Sequence, residues 1–186
     1  MRINIPDPSL VILCGPSACG KSTFARRHFK SIQIVSSDHC REMITDSSEH
    51  QRCSPDAFEL FHAIIGKRLK WKRLTVADST ALGTDARADL RRLARTWQVP
   101  AVLIVFDVSE GTCLSRDSAR KRQVREFVLR AQFDKLRDAL LHLRYERYES
   151  VYILDEREIG KVQVHRLVAK PTERRANAAQ ARKRQV

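Results

Sequence analysis

Short apolar runs alternate with amphipathic stretches along most of the chain. Residues 9–14 (SLVILC) form an unbroken apolar run closed at once by Gly15 and Pro16, as expected of a buried strand, and a helix follows over 21–29. A second strand is expected over 32–36, running into Ser37 and Asp38. Ser54, Pro55 and Asp56 read as a cap, a proline at the first helical position and an acidic first turn. Phe58, Phe61, Ile64, Ile65 and Leu69 then fall on one helical face. A third strand, 74–77, ends in Asp78, and Thr84-Asp85 opens a helix with Leu90, Leu93, Ala94 and Trp97 in register. Residues 101–106 (AVLIVF) read as an interior strand, and Ser109-Glu110 as the cap of another helix. A long amphipathic helix over about 123–147, with Val124, Phe127, Val128, Ala131, Leu136 and Leu140 inward, precedes a fifth strand at 151–154. Strands alternating with helices predict an α/β fold: a doubly wound parallel sheet of about five strands with helices on both faces.

Composition narrows the picture. A chain of 186 residues supports one sizeable core, and no apolar run approaches the ~20 residues of a membrane span. No secretory leader is visible at the start. Five cysteines with no CxxC pair fit reduced thiols, hence a cytoplasmic location, better than a disulfide framework or a zinc site. The net charge is +13, of which +5 lies in residues 170–186. The remaining +8 on the body points to a polyanionic partner or to an arginine-rich solvated surface. Residues 1–168 are expected to form one domain, and the polar, basic stretch 169–186 a disordered tail or interdomain linker.

The chemistry starts at Gly15-Pro16-Ser17-Ala18-Cys19-Gly20-Lys21-Ser22, a complete GxxxxGK[ST] motif between a buried strand and a helix. Such a loop turns its amides around the phosphates of a nucleoside triphosphate, with Lys21 as a charge clamp and the Ser22 hydroxyl toward magnesium. Gly15 through Thr23 are therefore the ATP-holding residues. Cys19 either carries a thiolate favoured by the loop or points away from the phosphates. In a parallel sheet, ligands lie beyond the carboxyl ends of the strands, so Asp38 and Asp78 should open onto the same rim as the cradle. One could take a proton from an acceptor hydroxyl, and the other could hold magnesium through water; the plainer alternative for each is a helix or turn cap. Arg41, a helical turn past Asp38, either binds an acceptor phosphate or makes a simple salt bridge with it. Residues 116–130 carry six Lys/Arg and two acids at the place where nucleoside monophosphate-type kinases carry a lid, so Arg116, Arg120 and Arg122 are candidate lid arginines; the alternative is a solvated helix face, the better reading for Lys121, Arg125 and Arg130. The absence of an NKxD motif counts against a GTPase.

With the cradle, SSDHCR, TVADST and the basic segment ending RQV in place, the chain resembles the 5′-hydroxyl polynucleotide kinase domain of bacterial Pnkp-type RNA-repair enzymes. The resemblance runs from about residue 5 to residue 154. It implies an ATP- and magnesium-dependent kinase acting on 5′-OH ends of RNA or DNA. Lys21 and Ser22 would serve ATP and magnesium, the latter assisted by Asp78 through water. Asp38 would be the general base, Arg41 the ligand of the acceptor's 3′-phosphate, and Gln51 part of the acceptor pocket. Arg116 and Arg122, or Arg120 in place of the latter, would close on the ATP phosphates. It also implies covalently linked phosphatase and ligase modules in a longer protein. The rival expectation is a kinase of a small metabolite, a sugar or nucleoside, which needs no polyanion track.

Overall fold

The computed structural model describes residues 1–120 and 123–168. Arg122 and the tail 169–186 lie outside the described residues. Seven strands and seven α-helices alternate along these residues: β1 (Arg2–Asp7), β2 (Leu10–Cys14), α1 (Lys21–His28), β3 (Ile34–Ser36), α2 (Ser37–Thr45), α3 (Ser54–Lys70), β4 (Thr75–Asp78), α4 (Thr84–Thr96), β5 (Ala101–Phe106), α5 (Glu110–Ser118), α6 (Glu126–His142), β6 (Ser150–Leu154), α7 (Glu156–Ile159) and β7 (Gln163–Val168).

The main sheet has five parallel strands in the order β3-β4-β2-β5-β6. The expected doubly wound sheet is therefore present. Its strands are short and apolar because both faces are covered: every residue of β2 and all but the first of β5 are buried. After β2 the chain winds to one side through β3 and β4, then to the other through β5 and β6. The turn after β2 is thus the switch point, where an open parallel sheet leaves a crevice.

Two features depart from the expected elements. β1 and β7 pair in parallel as a separate two-stranded sheet, with Arg2 opposite Gln163 and Asp7 opposite Val168. Ile3 and Ile5 of β1 are fully buried while Arg2 and Asn4 are not, the alternation of a half-buried strand. Tyr152 ties this small sheet to β6, its hydroxyl donating to the Asn4 carbonyl and accepting from the Asn4 amide, both at 3.1 Å. The long helix is also shorter than expected and turned differently. It begins at Glu126, gives way to a 3₁₀ turn at Leu143–Tyr145, and buries Leu129, Phe133, Leu136 and Ala139. Phe127 is exposed, because its end of the helix borders the crevice and not the core.

Candidate active site

The cradle is built where β2 gives out. A Cβ on Gly15 would sit 2.9 Å from the Cys19 sulfur and 3.0 Å from Phe106 Cβ, so only glycine lets the loop pass this close to β5. The loop climbs through Ala18 at φ +61° and Gly20 at φ +105°, left-handed values that deliver the chain into the first turn of α1. Gly15 N–H donates to the Thr80 carbonyl at 2.9 Å, which fastens the cradle to the segment after β4. The Lys21 ammonium is folded over the loop, donating to the carbonyls of Gly15 (2.8 Å) and Pro16 (2.6 Å). The Cys19 side chain is fully buried, and its sulfur accepts from the Lys21 ammonium at 3.6 Å.

The crevice has a volume of about 1000 Å³. It runs without interruption from the cradle (Ser17, Ala18, Gly20, Lys21, Ser22, Thr23) past Asp78 to Asp38, Arg41 and Gln51. Both acids therefore open onto the cradle's rim. Ser36, whose hydroxyl accepts from His39 N–H at 3.4 Å, caps α2, and Asp38 sits in the first turn with its carboxylate toward the crevice. Asp78, at the end of β4, is nearly buried, with Ser22 and Lys21 near its carboxylate. Burial raises its carboxyl pKa, opposed by Ser22 and by Lys21.

Arg41 is 6% exposed as a side chain and makes the salt bridge, Nη1 to Asp38 Oδ1 at 2.6 Å. It also donates to the Ser48 carbonyl and the Ser54 hydroxyl, both at 3.4 Å, while its Nε is buried with no partner. Arg41 is thus an ion-pair partner of Asp38 and part of the crevice wall at once. Arg116 reaches the cradle from α5, its Nη1 donating to the Cys19 carbonyl at 3.4 Å. Arg120 lines the crevice, together with Gln123, Val124 and Arg125.

Several residues escaped the sequence reading. Gln132 of α6 accepts from the Ser17 amide at 2.7 Å, joining the helix behind the basic segment to the cradle. Asp117 is nearly buried and accepts from the Val124 amide at 2.8 Å, which ties the end of α5 to the stretch just before α6. Arg26 and Phe58 also line the crevice. The +4 charge of segment 116–130 was the available signal for Arg125, but nothing in the pattern singled out Gln132 or Asp117.

Arg87 of α4 is fully buried behind the segment that follows β4. It donates to the carbonyls of Ala81 (3.1 Å) and Leu82 (2.7 Å), and to Glu146 through Nε (3.1 Å to each oxygen) and Nη2 (2.6 Å). Glu146 also accepts the Tyr148 hydroxyl at 2.7 Å. Burial alone would raise the Glu146 pKa; the hydrogen bonds from Arg87 and Tyr148 outweigh it and hold the carboxyl below its usual value. Among the described residues, no cluster of three or more His, Cys, Asp or Glu could hold a metal, and no helix is long and apolar enough to cross a membrane.

No curated protein matches the chain in sequence. Among solved structures, the chain is similar to a gluconokinase from Sinorhizobium meliloti 1021 (20% identity, 81% of this chain and 83% of that one, TM-score 0.51). It is also similar to a chain of the Pnkp1/Rnl/Hen1 RNA repair complex (20% identity, 76% of this chain and 47% of that one, TM-score 0.63). A third is the Mycobacterium tuberculosis APS kinase CysC, solved with AMPPNP and APS (13% identity, 84% and 95%, TM-score 0.53). At these identities the likeness is one of fold, which these kinases share with the chain. The family model described as an AAA domain matches residues 10–143, and the chain belongs to that family, with the fold of a P-loop kinase.

Proposed function

We propose that the protein is an ATP-dependent polynucleotide 5′-kinase, transferring the γ-phosphate of ATP to the 5′-OH end of RNA or DNA. The observation that carries this reading is the Asp38–Arg41 pair in the wall of the same crevice as the cradle, with Gln51 beyond it. An acid and a guanidinium side by side suit an acceptor that bears both a hydroxyl and a phosphate. The basic body suits a polyanion as well. In the reaction, the 5′-oxygen bonds to the γ-phosphorus as the bond to the β–γ bridging oxygen breaks. The hydroxyl proton passes to an Asp38 oxygen, and ADP departs. Lys21, released from its loop carbonyls, spans the β- and γ-phosphates, and Arg116, with Arg120 or Arg122, neutralises charge on the phosphoryl group. The hard oxygens of Ser22 and Asp78 fit magnesium, Ser22 directly and Asp78 through water; the ion when bound shields the charge of the phosphates. Both residues line the crevice beside the cradle. Covalent or non-covalent assembly with phosphatase and ligase modules belongs to the same reading, as does RNA repair in the cytoplasm. A sugar or metabolite kinase is the second reading, favoured by the similarity to the gluconokinase and APS kinase folds.

Arg41 separates the two. Arg41→Ala should raise KM for a nucleoside 3′-phosphate acceptor by an amount worth about 1.5–3 kcal/mol, the value of a hydrogen bond to a charged group. It should change KM little for an acceptor lacking that phosphate. Steady-state kinetics with the acceptor pair reads this directly, and an effect confined to ATP would place the arginine on the donor side.

Asp78 offers a test of opposite sign. Its folded-state pKa is raised above the ordinary 3.8, so the ionised carboxylate costs stability. That cost is absent below 3.8, grows as pH rises through the window up to the folded value, and is full at neutral pH. Asp78→Asn should therefore stabilise the ligand-free protein at pH 7 by about 0.5–2 kcal/mol, with no gain in strong acid. The same change should diminish the added stability conferred by Mg-ATP. Thermal melts with and without Mg-ATP measure both effects, and a loss of stability in the ligand-free protein would contradict this account.

A further inference from the structure

The segment Lys67-Arg68-Leu69-Lys70-Trp71-Lys72-Arg73 carries five cations and a tryptophan with no acid, and nothing in the crevice uses it. It spans the last turn of α3 and the turn that leads into β4. Leu69 and Leu74 are buried on either side, and Lys72 at φ +51° reverses the chain, so the turn is held firmly against the core. Two of its cations are engaged inward. Arg68 donates to the Thr75 hydroxyl (3.2 Å) and the Leu74 carbonyl (3.1 Å), and the Lys72 ammonium donates to the Trp97 carbonyl. Lys67, Lys70 and Arg73 are exposed, and Trp71 between them is 74% exposed. Among the described residues, no ion pair involves these three cations. Lys70 lies 5.9 Å from the Trp97 ring, so a second indole borders the cluster.

Cations in the last turn of a helix complement its dipole, which accounts for Lys67 and Lys70. The dipole gives no reason for an indole standing in water at the centre of unpaired charge. A rigid aromatic surface ringed by cations is what a single nucleic-acid strand requires, a base on the ring and phosphates on the ammonium and guanidinium groups. We propose that the 67–73 turn is a second nucleic-acid site, with Trp71 stacking a base of a single strand and Lys67, Lys70 and Arg73 contacting its phosphates. The turn feeds the amino end of β4, whereas Asp78 in the crevice closes the carboxyl end of the same strand. The site is thus at the opposite edge of the sheet from the phosphate chemistry. It would hold a strand at a distance from the reacting end. The choice of a nucleic acid as ligand rests on the function proposed above, while its binding test needs no ATP.

The test uses the full chain, whose two tryptophans are Trp71 and Trp97, titrated with a 5′-phosphorylated oligouridylate while indole fluorescence is followed. The wild type should quench saturably. Trp71→Ala should lose that quenching and bind about tenfold more weakly in a filter assay, the scale of one stacked base. Lys67→Glu, Lys70→Glu and Arg73→Glu combined should weaken binding further. They should also flatten the log–log salt slope by about 2, at ~0.7 per lost phosphate contact. Phosphate transfer to a nucleoside 3′-phosphate should be unchanged in these variants, showing that they fold. Absence of quenching in the wild type, or full affinity in Trp71→Ala, overturns the proposal. So does equal quenching by a polyglutamate peptide that displaces the oligonucleotide, which would make the turn a protein-docking surface. Quenching without any phosphate transfer sinks the kinase reading and leaves this site standing; transfer without quenching does the reverse.

Discussion

Asp38→Asn should lower kcat for transfer to a 5′-hydroxyl by roughly 10²–10⁴, the range for loss of a positioned general base, while leaving ATP affinity near the wild-type value. The amide keeps the shape of the carboxylate and can still accept a hydrogen bond from Arg41, which lies 2.6 Å from Asp38 Oδ1. What it loses is the capacity to receive the proton. In phosphoryl transfer most of the barrier reduction comes from positioning and charge neutralisation, with the proton moving late. The lower end of the range is therefore the expectation for an activated nucleotide donor and the upper end for ATP itself. ATP is held chiefly by the cradle amides and Lys21, so binding should survive. Single-turnover kinetics with saturating ATP separates the two quantities. An Asp38→Asn enzyme with near-normal kcat would remove Asp38 from the proton transfer and leave its carboxylate as a partner of Arg41 alone.

The second large effect concerns stability. Arg87→Ala should cost about 3–5 kcal/mol, because it leaves Glu146 buried with only Arg91, at 3.8 Å, as a counter-charge. The Leu82 carbonyl loses its donor as well, and the Ala81 carbonyl keeps only the Cys14 thiol. Ala81 holds φ at +45°, and the segment it belongs to supplies the Thr80 carbonyl that anchors Gly15. The loss should therefore appear in KM for ATP as well as in urea midpoints. Replacing both partners, Arg87→Met with Glu146→Leu, should recover much of the stability, since an apolar pair leaves no unpaired charge. It should not restore the ATP affinity, because the Leu82 carbonyl still has no donor and the Ala81 carbonyl keeps only the Cys14 thiol. The Glu146 pKa is depressed in the folded protein, so its contribution is present at neutral pH and fades as pH falls through the folded value. The gap between wild type and Arg87→Ala should narrow accordingly in acid. A gap that holds constant with pH would mean that Arg87 acts through packing and not through the ion pair.

The readable part of this molecule is the part whose physics is local. Buried parallel strands are continuous apolar runs, so β2 and β5 stand out in the sequence within a residue of their ends. Pro55 and Asp56 mark the first turn of α3 as expected, but Ser54 is its first helical residue and not its cap: Cys53 is the N-cap, and no side chain caps the helix. The cradle motif requires a fixed spacing of glycines, lysine and hydroxyl, and a fold that delivers strand ends to one rim brings Asp38 and Asp78 beside it. β1 and β7 were not legible because two short strands pair across the whole chain, and only the alternation of Ile3 and Ile5 hints at the first of them. The register of α6 misled because Phe127 and Val128 are apolar residues facing the crevice and not the core. Arg87 and Glu146 look like surface charges in a chain rich in both. Their burial follows from a meeting of α4 with the turn before β6, nearly sixty residues apart, which no local pattern encodes.

The most direct test of the central claim is transfer of labelled γ-phosphate from Mg-ATP. The acceptors are a 5′-OH oligonucleotide and, in parallel, a panel of sugars, nucleosides and adenosine phosphosulfate. The account predicts that label appears at the 5′ end of the oligonucleotide and of a nucleoside 3′-phosphate, with little transfer to acceptors that lack a phosphate. Efficient labelling of a sugar or of the phosphosulfate, with the oligonucleotide left unlabelled, would contradict it.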